Sequence, residues 1–415
     1  LCALLAKALW SHKVNLIRFK NEPASLVDLR NKAAEHALNE PLPDKSTHRF
    51  RFTLAKMLFP RALVDQALFE QQNSGVEVDI ALPAGASGVE VHRFDDAFGL
   101  PVGAVIEKHL GTIAGYDDPI LATNLALFSN GVVVVIPDNL VLDDPIHIDW
   151  KADSQQGLSA VRTLVLVGKN AKVQVLEKLE VSSGHASAVT EVVLGTGADV
   201  IHGRLERAAK GAVGFSRAAY RIEKDASLRH VHVLLPDGLI KAEAAPVIAG
   251  PGGNSKGLGM AFTDNTAVAD FRVVENHAVG DTTSQVMWRS VAADNSKSIF
   301  TGLLSIAPGA ARSQAFEEAR SMLLSRQAVA QTIPELEILN HDVKCSHGAS
   351  VAPIDPEAMF YLESRGLSKP EAKTMLVEGF VEPVLAELPI AGLADEVRTR
   401  LRAALGASPS LFDHS

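Results

Sequence analysis

From residue 126 to residue 310 short β-branched apolar runs alternate with tight polar turns. GVVVVIP, LVLDDPIHI, RTLVLVG, KVQVLEKLEV and TEVVLG are such runs. One turn form recurs, in GKNAKV (168–173), GTGADV (195–200), EKDASL (223–228), TDNTAV (263–268) and ADNSKS (293–298). In each, an Asn, Gly or Asp precedes a small residue, then any residue, then usually an aliphatic one. The small residues are Ala171, Ala198, Ala226, Thr266 and Ser296, at steps of roughly 27, 28, 40 and 30. Asn, Asp and Gly tolerate turn geometry that other residues resist, and a small neighbour lets turns stack. Recurrence at 20–50 residues marks a solenoid. With strands and no helical pattern between the turns, the expectation is a β-solenoid whose period holds about two rungs. A β-sandwich with similar turns is the alternative. The longest step contains GPGGNSKGLG (250–259), where an excursion from the rung pattern is expected.

The flanks read differently. Residues 1–75 are rich in Ala, Leu, Lys and Glu, as in SLVDLRNKAAEHALNE (25–40), with Ser25 as a candidate N-cap. Pro41 and Pro43 break this helical pattern before a second run near Phe52. Residues 76–125 are mixed and yield no assignment. Residues 311–340 leave the strand pattern, and helices are expected after about 355. Asp355-Pro356 forms a cap and first-turn pair, Gly366 a stop, and Ser368-Lys369-Pro370-Glu371 a capping box. Met375, Leu376, Phe380, Val384 and Leu388 recur at helical spacing, and ADEVRTRLRAAL (394–405) makes a last helix. The expected division is a helical region at 1–95, a β-helix core at 96–320 and a C-terminal segment at 321–415.

Composition narrows the function classes. The chain has 415 residues, 47% of them hydrophobic and 5% aromatic, with a net charge of −9. No basic excess is present to neutralise phosphates, which argues against nucleic-acid binding. Two cysteines, Cys2 and Cys345, give no disulfide framework and fit a reducing compartment. No apolar run reaches the length of a membrane span. The opening LCALLAKALW is too short and too soon charged for a signal peptide, although a leader removed before residue 1 is compatible with the missing Met.

Candidate chemistry concentrates at Cys345 and His347. In an extended segment residues two apart share a face, so a thiol and an imidazole project together. Both suit soft and borderline metals, yet two ligands do not close a site, and iron–sulfur clusters usually take four. A cluster touched here therefore borrows ligands from elsewhere. By chemistry alone, a structural thiol competes with this reading. His230 and His232 form a second pair on one strand face without an evident third ligand, and a surface or stacked role is expected for them. GPGGNSKGLG fails the Walker pattern, because Lys256 follows Ser255 and precedes Gly257. No Gly-x-Ser-x-Gly or His-Glu-x-x-His motif occurs. A carbohydrate-cleaving β-helix enzyme is the catalytic rival, but the acids are scattered.

The stretch NHDVKCSHGASVAPIDPEAMFYLESRG (340–366) resembles the C-terminal signature of the SufD family, scaffold subunits of the SUF iron–sulfur cluster assembly system. SMLLS (321–325), PELEI (334–338), NHAVGDTTSQ (276–285), LFSNGVVVVIPDN (127–139) and PLPDKSTHRFRFT (41–53) extend the likeness. SufB chains are richer in cysteine. The resemblance implies a right-handed parallel β-helix with helical flanks and no catalysis by this chain alone. It implies that His347 and Cys345 lie at a cluster-assembly interface with SufB, as metal ligands shared with that partner. It implies a SufC ATPase docked on the C-terminal helices, a transient nascent iron–sulfur cluster, and a reduced flavin on the complex with no residue here to mark its site. The same likeness is compatible with a homodimer of the isolated chain, and with a bacterial cytosol or, if a leader has been removed, a plastid stroma as compartment. A purely structural subunit is the alternative.

Overall fold

The structure, a computed structural model, describes residues 14–69, 75–116, 118–388, 390 and 392–406. Cys2 lies outside the described residues.

Helices come first: α1 (Ala24–Asn39), α2 (Ala55–Leu58) and α3 (Arg61–Phe69). Strands β1 (Val76–Ala81) and β2 (Glu90–Arg93) follow, then α4 (Phe94–Ala97), α5 (Val102–His109) and α6 (Pro119–Leu127). The rest is strand until residue 353: β3 (Asn130–Ile136), β4 (Ile146–Val167), β5 (Lys172–Leu194), β6 (Asp199–Ala208), β7 (Val213–Ile222), β8 (Ser227–Leu234), β9 (Leu239–Ile248), β10 (Asn254–Thr263), β11 (Val268–His277), β12 (Thr283–Ala292), β13 (Lys297–Ile306), β14 (Gln314–Leu323), β15 (Val329–Ile338) and β16 (Lys344–Pro353). Helices α7 (Pro356–Ser364), α8 (Lys369–Leu385) and α9 (Leu393–Leu405) close the described chain.

The expected parallel β-solenoid is present. Odd strands β7, β9, β11, β13 and β15 pair in parallel on one face, and even strands β6 to β16 on the other. The long strand β5 bends to serve both: its first half pairs β6 and its second half pairs β7. Each period is thus one coil of two strands rather than two rungs.

The turns explain the sequence recurrence and correct part of it. Ala171, Ala198 and Ala226 occupy equivalent corners, and each carbonyl receives the amide of the next coil: Asp199 N to Ala171 O at 2.9 Å, Ser227 N to Ala198 O at 2.7 Å, Asn254 N to Ala226 O at 2.9 Å. Asn170, Gly197, Asp225 and Gly252 stack beside them with φ of 55°, 70°, 57° and 77°. This left-handed region suits Gly and, among side chains, Asn and Asp. Thr266 and Ser296 belong instead to the opposite edge of the coil. The long step between Ala226 and Thr266 is therefore a change of edge, not an excursion. GPGGNSKGLG is an ordinary corner followed by the start of β10.

Three other expectations fail. Ser25 lies inside α1, whose cap position is Pro23, and its hydroxyl donates to Glu107 instead. Residues 311–340 do not leave the solenoid, because β14 and β15 continue it. Their outer and terminal positions are half-exposed, so the apolar alternation that identifies earlier coils fades. Helices likewise persist beyond residue 95, to Leu127.

The coils are buried on both faces, as parallel sheets require. Inside, Val200, Leu228, Phe271, Trp288 and Phe300 fill the lumen. Outside the even sheet, Ile201, Leu205, Val233 and Met260 meet Val377, Val381, Leu393 and Val397 of α8 and α9. Burying each large side chain contributes roughly 1.5–3 kcal/mol. The stripe of α8 accordingly packs inward, with Val384 fully buried. The predicted caps hold: Asp355 accepts from the Glu357 amide at 2.9 Å, and Ser368 with Glu371 completes a capping box.

Outside the odd sheet lie the N-terminal helices, fixed by buried charges. Arg162 donates to Glu191 and Asn124, both at 2.9 Å, and Arg30 donates to the Ala126 and Phe128 carbonyls at 3.0 Å. Arg49 spans Glu243 and Asp118. Burial alone would raise the Glu243 carboxyl, but Arg49 and Arg217 pull it down to about 2.

Candidate site at the open end of the solenoid

Strands β15 and β16 form the last coil. They terminate the sheet path at its two ends, and among the described residues no strand pairs their outer edges. A solenoid end exposes unpaired backbone and inner-face side chains. Leu336, Ile338, Leu339 and Val351 are exposed here, and Phe360 and Tyr361 of α7 stand out at 73% and 56% exposure.

The register of β14 and β16 places the sequence-predicted pair. Cys345 sits over Ala315, and His347 over Glu317. Ala315 and Glu317 are both buried, inward-facing residues. Cys345 and His347 therefore share the inner face of the terminal coil, as their spacing predicted. Cys345 is half-buried against Leu304, Ile306, Ala310 and Ala315. Burial pushes its thiol above the usual value, against an opposing backbone bond from Ala315. At neutral pH it is a thiol, poised to ionise when a metal or a base arrives. His347 is exposed. Glu317 and His347 also border an open groove of about 330 Å³ whose other lining, Gln285, Phe316 and Ser346, occupies the alternate, outward positions of these strands.

His230 and His232 are not near this pair. Both are fully buried in the lumen and meet edge to face, with ring centroids 5.4 Å apart and planes at 70°, and among the described residues no three ligating side chains form a metal set. The expected surface or stacked placement is corrected: the strand face that carries the pair is the lumen face, and the two rings pack against each other at a steep angle. Their surroundings went unseen in the sequence. A polar column runs along the coil interior. His202 Nε2 donates to Glu177 at 3.1 Å, while its Nδ1 accepts from Tyr220 at 2.8 Å. Burial keeps His202 neutral and Tyr220 protonated, which fixes this tautomer. Burial would also raise Glu177, but Arg204 and His202 hold it near 2. One coil on, His230 Nε2 donates to Glu275 at 2.9 Å. Toward the open end stands Glu317, with both carboxyl oxygens buried and unpartnered. Burial, then the charges of Glu275 and Glu335, push it up to about 8. The signal was available: His202 and His230 lie one period apart, as do Glu317 and His347.

Comparisons with known proteins agree with this geometry. Residues 150–380 match the SUF system FeS cluster assembly, SufBD core domain. An iron–sulfur cluster assembly SufBD family protein of Staphylococcus haemolyticus is 26% identical over 288 residues, 68% of this chain and 62% of the relative. A Staphylococcus saprophyticus relative of the same description is 27% identical over 279 residues, 66% of this chain and 60% of its own length. One from Staphylococcus aureus is 27% identical over 278 residues, with the same coverages. The chain thus spans about three-fifths of the relatives it matches.

Proposed function

Since this chain belongs to the SufBD family of iron–sulfur cluster assembly proteins, we propose that it is the SufD-like subunit of a SufB–SufC–SufD scaffold. Such a scaffold receives iron and sulfur, builds a nascent cluster and passes it to acceptor proteins. The observation that carries the reading is the placement of Cys345 and His347 on the inner face of a coil whose edges are unpaired. Every earlier inner face is covered by the next coil. This one presents two soft-metal donors to whatever covers it, and it lacks the ligands to hold a cluster alone.

SufB is the covering chain in this reading. Edge strands recruit partners by main-chain pairing, and the exposed Leu336, Ile338 and Val351 supply apolar contact. Without SufB, the same edges join two copies of this chain. SufC docks on the C-terminal helices, where α7 buries no residue and Phe360 and Tyr361 face outward. SufC supplies the ATPase activity, and this chain is non-catalytic. A reduced flavin belongs to the assembled complex. No helix among the described residues is long and apolar enough to cross a membrane, and the proposed compartment is a bacterial cytosol or a plastid stroma.

The test is co-expression with SufB and SufC, anaerobic purification, and cluster content read by absorption and by iron and sulfide analysis. His347→Ala and His347→Gln should leave the complex assembled with an unchanged melting temperature, yet with little iron and sulfide. Gln keeps some hydrogen bonding but is a poor ligand and base, so it should behave like Ala. Wild-type cluster content in the Gln variant removes His347 from the mechanism. Loss of SufB or of thermal stability instead assigns His347 a structural role.

A further inference from the structure

We propose that Glu317 is a further binding residue of the terminal coil, which with His347 forms this chain's half of a site for a divalent iron ion. The inference rests on the preceding reading that the open face handles iron, and it adds a residue that no motif marks.

Position comes first. Glu317 and His347 are register partners on adjacent parallel strands, β14 and β16, on the same inner face. Adjacent strands lie about 4.8 Å apart, so two such side chains can reach one ion.

The state of the carboxyl group is the second, independent observation. Glu317 is 4% exposed, and neither oxygen has a hydrogen-bond partner. Leaving a buried polar group unpartnered costs about 1–3 kcal/mol, and more for a charge. Its neighbours offer no relief. Val286 lies beneath it in β12. Glu275 of β11 and Glu335 of β15 are the charged groups that bear on it, and both are acids. Arg272 forms an ion pair with Glu335 at 3.6 Å. Among the described residues no cation pairs with Glu317, and one arriving at the open end would.

Room for the group is built in. A Cβ at Gly302, across the lumen in β13, would collide with the Glu317 carboxylate. The missing side chain keeps that space for the acid. The donor set then defines the ligand class. A carboxylate oxygen with an imidazole nitrogen suits borderline divalent metals such as Fe²⁺. Among the described residues no three such side chains form a set, so the remaining positions fall to water, sulfide or a covering chain. Cys345, on the same face, is the thiol among the described residues.

The experiment is anaerobic titration of the full chain with Fe²⁺ by calorimetry, and with Co²⁺ as a spectroscopic probe. Wild type, Glu317→Gln, His347→Ala and Cys345→Ala are compared. The wild type should bind one ion, and Glu317→Gln and His347→Ala should each weaken it at least tenfold without changing circular dichroism. Should Glu317→Gln fail to fold, Gly302→Ala serves instead: it keeps the acid but displaces it, and should weaken binding in a chain that retains its melting profile. Wild-type Fe²⁺ affinity in the folded Glu317 or Gly302 variant overturns the inference, as does absence of binding to the wild type. In the three-protein complex the two readings separate. If His347→Ala loses cluster while Glu317→Gln keeps it, Glu317 falls and the assembly function stands. If neither loses cluster, both fall.

Discussion

Glu317→Gln should change how the stability of this chain depends on pH, apart from any effect on iron. Gln keeps the size of the side chain but does not titrate. In the folded chain the Glu317 carboxyl is raised from 4.5 to about 8, by burial first and by Glu275 and Glu335 next. In the unfolded chain it ionises near its ordinary value. Between these two values the folded state holds a proton that the unfolded state has lost, so stability falls as pH rises. The contribution is fully present below about pH 4.5 and is lost progressively up to about pH 8. The gap between 4.5 and about 8, at about 1.36 kcal/mol per pH unit, sets an upper bound of about 5 kcal/mol. The assay is urea unfolding from pH 5 to pH 9, with hydrogen exchange in β14 as a local probe. The variant should gain on the wild type steadily across this window. Parallel stability curves for the two proteins would show that Glu317 ionises normally, and would refute both the burial argument and its magnitude.

Other outcomes follow from the buried charges and the packing. Arg49→Met should cost about 1–3 kcal/mol in denaturant unfolding, because it leaves Glu243 with Arg217 as its remaining arginine partner and loosens the N-terminal helices from the odd sheet. Glu243, held near 2, contributes stability that is present above about pH 4.5 and lost as pH falls toward 2. Glu243→Gln should therefore flatten the acid limb of the unfolding curve. Gly259→Ala would press a methyl group onto the Trp288 ring and the His232 carbonyl. Overpacking of this kind costs about 1–3 kcal/mol, readable as a lower melting temperature with the fold retained. The isolated chain should take up no stoichiometric cluster on anaerobic reconstitution, measured by absorption, because the inner face offers one thiol, Cys345.

The solenoid was legible because its physics is local and repeated. A left-handed corner needs Asn, Asp or Gly, and the corner must be small enough to stack, so Asn170, Gly197 and Asp225 recur with Ala171, Ala198 and Ala226. Which edge of the coil a corner occupies is not written in its residues. TDNTAV and ADNSKS satisfy the same turn rules on the far side, and the spacing alone misled. The end of the solenoid was hidden for a related reason. Strand alternation is visible when one face is apolar, whereas β16 is exposed along most of its length. The pair Cys345 and His347 was visible because its chemistry is rare in this chain. Glu317 was not, since one acid among 49 acidic residues signals nothing until the register places it under His347.

That register also explains why function gathers at the last coil. Inner faces along a solenoid are consumed by the next coil: His202 is covered by His230, and His230 by Gly257. Polar groups there find partners in one another, as Glu177, His202 and Tyr220 do, or go without, as the His232 ring does. At the terminal coil no strand among the described residues covers the inner face, and the side chains change accordingly. A thiol, an imidazole and an unpartnered acid replace the hydrogen-bonded column. The acid is the most telling of the three. A buried carboxyl group without a partner is disfavoured in a finished fold, so its persistence at this position fits a coil completed by something that arrives from outside. Iron and a second chain meet that requirement together, because the ion neutralises the acid and the chain covers the edges.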